Sequence, residues 1–332
     1  MALLRPALAA AAMALWLCGC AAGAPGSGRS PRAAPDRLCS LRGQPVQAAR
    51  LDAILPPGEF SAVADRLAAR GWSLTAAEVA EVVGALGPLQ RVAEAEGAGP
   101  ARGTAAELRR LRLRQAISDR TTAASLDVSV TLAEIDCEGE RGDQVQNRLT
   151  AIEARRARRL SLGSILVGAL TAGLTGGLSL ARVPGADVAG ILGGAAEASL
   201  GAALLFGEPT GTLGTERNLL REVWERPVRP AFFPETVWRY LNRPVRGEDG
   251  DSRTTLDVVV AEWRAGDRFG PPGSAEERAR MALLFGPGGT YTIEDLEVRE
   301  ALLELVETSV GLMSRDLRVL LAELQAHAPA AP

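Results

Sequence analysis

The residue types that most often carry enzyme chemistry are scarce in this chain. Its one histidine, His327, follows the last predicted helix, where nothing orients its side chain. A histidine-based triad or a histidine-rich metal site therefore does not fit the sequence. No lysine occurs, so all 37 basic side chains are arginine, and neither a Walker A lysine nor a lysine Schiff base is available. We predict no catalytic set, no metal site and no cofactor.

Carboxylates are the remaining candidates for catalysis, since acid–base chemistry by Asp or Glu needs no other side chain. The pairs Glu138–Glu140 and Asp249–Asp251 are predicted to be solvated loop residues. The glycine-rich stretch 285–290 is predicted to be a turn rather than a phosphate cradle, because it has no basic residue and no preceding strand. The sequence thus favours a protein that is not an enzyme.

The N-terminal residues carry the most specific chemistry. One positive charge at Arg5 is followed by the apolar stretch 7–17 and then by Leu17-Cys18-Gly19-Cys20. The apolar stretch has the length of a secretory signal and is too short to span a bilayer. Together, these residues resemble the lipobox of bacterial lipoproteins, in which the last cysteine is lipidated.

The resemblance to bacterial lipoproteins implies a location. Cys20 becomes the mature N-terminus and is held to membrane lipid by its acyl chains, and residues 1–19 are the signal peptide. Ala21 after the cysteine favours the outer membrane, on its periplasmic face or at the surface, over the inner membrane. Residues 20–36 are then the lipid anchor and a flexible tether rich in Pro, Gly and Ser. An ordinary secretory signal, cleaved for instance after Ala22, is the alternative.

Cys39 and Cys137 are the cysteines that remain after this processing. An exported chain meets an oxidising compartment, so the two are expected to form a disulfide that joins the start of the body to the middle of the chain. A loop of this length is stabilised by roughly 3–5 kcal/mol in the chain-entropy treatment. Two buried free thiols are the alternative.

The body that carries these residues is predicted to be all-α. Capping boxes, in which a hydroxyl side chain is followed three residues later by Glu, begin at Thr75, Thr104 and Ser274. Apolar residues alternate over 126–132 as in a strand, but helix is predicted there because no partner strand is visible. The predicted parts are a helical region 37–159, a glycine-rich apolar hairpin 160–207, a helical region 208–326 and a tail 327–332.

The second helical region is predicted to end in a long amphipathic helix from Thr292 to about Gln325. Prolines break the preceding chain into short helices near 215–225, 235–242, 253–264 and 274–285. Tryptophans at 224, 238 and 263 are expected to anchor a small core. The apolar face of the long helix recurs at steps of three and four and consists of Leu296, Leu302, Leu303, Val306, Val310, Met313, Leu317, Leu320 and Leu324.

Residues 160–207 are the most informative part of the body. Leu160 to Ala181 carries no charge and is long enough for a transmembrane helix. A turn at 182–187 leads to a second apolar segment, which contains Glu197. Small residues at every fourth position let two helix backbones approach closely. They are Ser164, Gly168, Ala172 and Gly176 in the first segment and Gly190, Gly194, Ala198 and Ala202 in the second.

Two environments are open for this hairpin, a bilayer and the interior of a helical body. Length and lack of charge favour the bilayer. The arginines at 155, 156, 158 and 159, on the non-cytoplasmic side of an exported chain, oppose the positive-inside tendency, and Glu197 is costly at mid-span. In a bilayer, Glu197 is the candidate for an ion or proton site or a subunit contact. In a folded body, it pairs with arginine or faces water.

Three functions remain open. The first is a lipid-anchored cell-envelope protein with a structural or assembly role, whose partner is an envelope protein or a second copy of the chain. The second is a subunit of a membrane pore or transport assembly that uses residues 160–207. The third is a carboxylate-dependent envelope hydrolase. The net charge of -3 and the lack of interleaved aromatic residues give no reason to expect nucleic acid as a partner.

Overall fold

The computed structural model describes residues 51, 53–97, 103–180, 208–246 and 252–327. These residues are mostly helical, which confirms the predicted predominance of helix. In chain order the elements are α1 (Pro57–Ala68), α2 (Leu74–Val82), α3 (Leu86–Gly97), α4 (Thr104–Leu180), β1 (Gly211–Gly214), α5 (Leu219–Glu225), α6 (Glu235–Leu241), β2 (Pro244–Arg246), β3 (Ser252–Thr254), α7 (Thr255–Ala265), α8 (Ala275–Phe285), β4 (Gly288–Tyr291) and α9 (Ile293–Ala326).

Of the three predicted helix caps, the one at Ser274 is confirmed and the one at Thr75 is wrong. α4 begins at Thr104, as the sequence suggests, and the capping box predicted there stays a prediction. The Ser274 hydroxyl caps α8 by accepting a hydrogen bond from the Glu277 amide at 2.9 Å. The box predicted at Thr75 is wrong, because Ser73 is the N-cap of α2 and accepts from the Ala76 amide at 3.0 Å.

α4 is the longest element, with 77 residues. The stretch 126–132 is helical in it, as predicted, with Val128 buried and Leu126 and Val130 facing solvent. Apart from Gly139, the buried residues in the first part of α4 recur at alternating steps of four and three, which is the seven-residue repeat of a coiled-coil seam. This seam consists of Ile117, Thr121, Ala124, Val128, Thr131, Ile135, Glu138, Gly142, Val145 and Leu149.

α9 packs antiparallel along this seam. Arg114, near the start of α4, donates to the Leu324 carbonyl near the end of α9. Gln146, late in the packed part of α4, donates to Glu297 near the start of α9 at 3.4 Å. The predicted long C-terminal helix is confirmed, and all nine residues of its predicted apolar face are buried.

Two small antiparallel sheets were not predicted. β1 pairs with β4 and β2 with β3. β4 occupies part of the glycine-rich stretch 285–290, so the predicted turn is wrong there. Gly288 has φ +91°, and a Cβ on it would lie 2.2 Å from the Leu213 carbonyl oxygen. Only glycine permits this close approach of the two strands.

The four short helices predicted from proline spacing are present as α5 to α8. Trp238 and Trp263 are buried, and Trp224 is partly buried. The Trp224 ring stacks on Phe285 with 4.6 Å between ring centroids. The tryptophans therefore anchor a small core, as predicted.

Candidate functional site

α4 passes from a packed to an exposed environment within one helix. Its seam is buried as far as Leu149, whereas none of the residues of known exposure from 150 to 172 is buried. Residues 150–180 are named the arm, which is about 46 Å long at about 1.5 Å per residue. Large apolar side chains of the arm that are each more than half exposed are Leu162, Ile165, Leu166 and Leu170.

Three arginines share one side of the arm with these apolar residues. Arg155, Arg158 and Arg159 are exposed. At 3.6 residues per turn, they and the four apolar residues fall within an arc of about 140°. These seven residues are named the arm face. Glu153, also exposed, falls on the opposite side of the helix.

The arm contains only the first half of the predicted hairpin. Its small residues at 164, 168, 172 and 176 are helical; Gly168 is partly buried and Ala172 is exposed. Within the described part of the chain, no helix combines the length and the apolar character needed to cross a membrane. The second half lies outside the described residues, so the hairpin stays a prediction. That half includes Gly190, Gly194, Glu197, Ala198 and Ala202.

The β1–β4 sheet packs on α4 where the arm begins. A Cβ on Gly211 of β1 would lie 2.5 Å from Val145 Cγ1 and 3.4 Å from Leu149 Cδ1, so the strand backbone contacts the end of the seam directly. Arg141 of α4 donates to the Gly214 carbonyl at 2.5 Å. These contacts hold the last packed turns of α4 and therefore the base of the arm.

A buried ion pair lies on the seam. Arg299 of α9 donates from Nη2 to Oε2 of Glu138, and both side chains are almost fully buried. The Leu219 amide, at the start of α5, donates to the other carboxylate oxygen at 3.5 Å. The prediction that Glu138 is a solvated loop residue is therefore wrong. In an otherwise largely apolar seam, such a pair favours the one alignment of the two helices that satisfies both charges.

Tyr291 lies next to this pair. It is fully buried at the end of β4, and its hydroxyl donates to the Leu283 carbonyl at 2.9 Å. Burial raises the pKa of its phenol, and the nearby Arg299 guanidinium partly offsets that rise. Tyr291 thus stays neutral, and it lies against the ion pair on the side of the β1–β4 sheet.

An open acidic cleft of about 260 Å³ lies between α4 and α9. Its carboxylates are Asp136, Glu140 and Asp143 from α4 and Glu300 and Glu307 from α9. Partial burial of Glu300, followed by its acidic neighbours, raises the pKa of that carboxyl. Among the described residues, no group of three or more His, Cys, Asp or Glu side chains has the arrangement of a metal site. Among the described residues, this cleft is the place where a carboxylate-dependent hydrolase could act, and that function stays a prediction.

Cys137 lies beside the cleft, on α4, and is disulfide-bonded. Its predicted partner lies in the part of the chain that the structure does not describe, so the pairing stays a prediction, as do the lipidation, the signal peptide 1–19 and the tether 20–36. Besides the hairpin residues named above, the candidate residues in undescribed parts of the chain are Cys20, Cys39, Asp249 and Asp251.

His327 is held in place, contrary to the prediction that nothing orients it. Its ring stacks on Trp72 with 4.3 Å between centroids, and its Nδ1 lies 3.3 Å from a Glu96 carboxylate oxygen. Arg114 donates to the His327 carbonyl at 3.3 Å. The prediction is wrong because the framework comes from α3, α4 and the turn before α2, all distant in sequence.

No protein family, no curated protein and no solved structure matches this chain. The arm face, the seam and the buried pair are therefore interpreted from their own contacts. The seam and the buried pair belong to a packed body, from which one helix continues with exposed side chains.

Proposed function

We propose that this protein is a lipid-anchored cell-envelope protein with a structural or assembly role, and that the arm is the part that contacts other envelope components. The observation that carries the proposal is the continuity of α4 between the packed seam and the exposed arm face. Because one helix forms both, the packing of α9 on residues 117–149 sets the direction of the arm.

The exposed apolar residues of the arm support a binding role. A large aliphatic side chain gains about 1.5–3 kcal/mol when it is fully buried. Leu162, Ile165, Leu166 and Leu170 forgo most of that gain, and they lie together on one side of the helix. Contiguous apolar surface of this kind is typical of sites that bind another protein or a membrane. An envelope protein, a second copy of this chain or the membrane surface itself would supply the missing contacts.

The sequence around Cys20 supports the location. A lipid on this cysteine, followed by the tether 20–36, would hold the body close to a membrane. We propose the outer membrane as the location, because the residue after the cysteine is Ala21. In this arrangement the arm reaches partners within about 46 Å of the packed body.

The test compares two neighbouring cysteines in the full chain. Cys20→Ala should abolish acylation, and residues 21–332 exported behind an ordinary cleavable signal should be released from alkaline-washed membranes. Cys18→Ala is the matched control, because this residue should leave with the signal peptide and its loss should change neither result. Acylation is measured by labelling with a fatty-acid analogue, and location is measured by membrane fractionation.

Retention of acylation in Cys20→Ala, or its absence from the unchanged chain, would contradict the proposal. A third result favours the second candidate function, the membrane pore or transport subunit. The exposed Leu162, Leu166 and Leu170 are the observation that supports this candidate. If residues 21–332, exported behind an ordinary cleavable signal, remain in alkaline-washed membranes without acyl chains, then residues 160–207 themselves insert.

A further inference from the structure

We infer that the arm face binds a bilayer surface that contains anionic phospholipid and lies along that surface. The inference rests on the proposed function, because it names the partner of the same arm. It starts from an arrangement of seven exposed side chains: three arginines and four large aliphatic residues share one side of about 140° of a single helix.

The arginines favour phosphate as the group that is bound. Arg155, Arg158 and Arg159 lie within little more than one turn, and their guanidinium groups can each donate two hydrogen bonds to one phosphate. Basic side chains beside an anionic leaflet increase surface affinity by about fivefold each. The one acidic residue of the arm, Glu153, is on the opposite side of the helix from these arginines.

The same arginines disfavour a second copy of the chain as the occupant. If two arm faces met in parallel, six guanidinium groups would lie side by side. If they met antiparallel, the arginines of each copy would be buried against Leu162 and Leu166 of the other without a counter-charge, which is costly. A phospholipid surface offers phosphate and hydrocarbon to the two kinds of side chain at once.

The shared arc also determines the orientation. In a helix that crosses a bilayer, arginines at one end meet the headgroups whatever side of the helix they occupy. In a helix that lies in the interface, basic and apolar residues must face the membrane together, with arginine stems passing along the apolar surface to the phosphates. The arm face has this second arrangement, with Arg159 followed directly in space by Leu162 and Leu166.

The experiment uses the full lipid-anchored chain in native membranes. A photo-crosslinking residue replaces Leu166 of the arm face, and the control replaces Leu126, which is equally exposed but lies on the packed half of the same helix. Illumination should attach phospholipid to position 166 and leave position 126 without a lipid adduct. The adduct is identified by the mass of the crosslinked peptide.

A second set of variants tests the arginines. The triple change Arg155→Gln, Arg158→Gln and Arg159→Gln removes roughly 100-fold of surface affinity. The lipid adduct at position 166 should therefore fall by about tenfold or more, even though the anchor keeps the local lipid concentration high. The matched control removes the same charge elsewhere, at exposed Arg109, Arg112 and Arg318, and should retain the adduct.

Several outcomes would overturn the inference. They are an adduct of position 166 with a second copy, with another protein or within the same chain, the absence of any adduct, and an equal loss in both triple variants. Fractionation of the unchanged chain separates this failure from failure of the proposed function. A soluble, unacylated chain refutes the anchor, whereas an anchored chain without a lipid adduct at position 166 refutes only the inference.

Discussion

Residues 104–149 and residues 150–180 belong to one helix, yet the first part buries a seam and the second leaves the arm face in solvent. The difference comes from the partner helix. α9 begins at Ile293, and its residue Glu297 already lies opposite Gln146. Beyond that level, α9 has only residues 293–296, about one turn, to cover α4. Helix formation is thus a property of the segment itself, whereas burial depends on where the partner ends.

The largest expected difference between the two parts comes from their carboxylates. Glu138→Leu leaves the buried Arg299 without its counter-charge and should lower the free energy of unfolding by about 3–5 kcal/mol. Glu153→Leu, in the arm, should change it by less than about 0.5 kcal/mol. Urea unfolding of the disulfide-bonded chain measures both. The double variant Glu138→Leu, Arg299→Met should recover most of the loss, and a neutral single variant would contradict the buried pair.

The same truncation can be made in both parts of the helix. Leu149→Ala removes a fully buried side chain at the end of the seam and should cost about 2–5 kcal/mol. Leu166→Ala removes a side chain of the arm face and should stay within about 0.5 kcal/mol. Unfolding midpoints provide the comparison. An equal loss at both positions would mean that the arm is packed as tightly as the seam.

Replacing a glycine by alanine should have opposite effects on stability in the two parts of the molecule. Gly211→Ala pushes a methyl group to 2.5 Å from Val145 Cγ1 and should destabilise the body by about 1–3 kcal/mol. Gly163→Ala, in the arm, meets open space and should stabilise the local helix by about 0.5–1 kcal/mol. Thermal unfolding measures the first effect, and amide hydrogen exchange around residue 163 measures the second. Faster exchange in Gly163→Ala would be the unexpected result.

The smallest expected effect depends on pH. The pKa of Glu300 is raised in the folded chain, so its charged form is disfavoured and its contribution to stability is lost as pH rises through that pKa. Glu300→Gln should therefore stabilise the protein at neutral pH, by under about 0.5 kcal/mol because the side chain is partly solvated. The gain should vanish in acid, where Glu300 is itself neutral.

The helices were predictable where one face is uniformly apolar. The pattern of α9 identifies its length and its buried residues because Leu, Val and Met occupy nearly every inward position. The seam of α4 has the same repeat, but Thr121, Thr131 and Glu138 stand at inward positions and hide it. Their polar groups are satisfied inside the fold: Thr121 donates to the Ile117 carbonyl and Glu138 pairs with Arg299.

Two helix starts carry a capping signal that the usual Ser/Thr-x-x-Glu pattern does not include. Thr254 and Thr292 each form a reciprocal capping box with an aspartate three residues later, at the starts of α7 and α9. Aspartate has the same acceptor oxygens as the Glu of the usual pattern. The four strands had no comparable signal, because each is only three or four residues long and most of β4 is glycine or threonine.

The sequence by itself determined the helices, their approximate ends and the apolar face of α9, because turn residues, caps and side-chain periodicity act over a few neighbouring positions. Only the tertiary structure decided which of these faces are covered. Glu138 is buried because Arg299 lies opposite it, His327 is oriented because Trp72 and Glu96 meet it, and the arm face is exposed because α9 begins at Ile293. Such contacts join residues far apart in the chain, and local pattern carries no information about them.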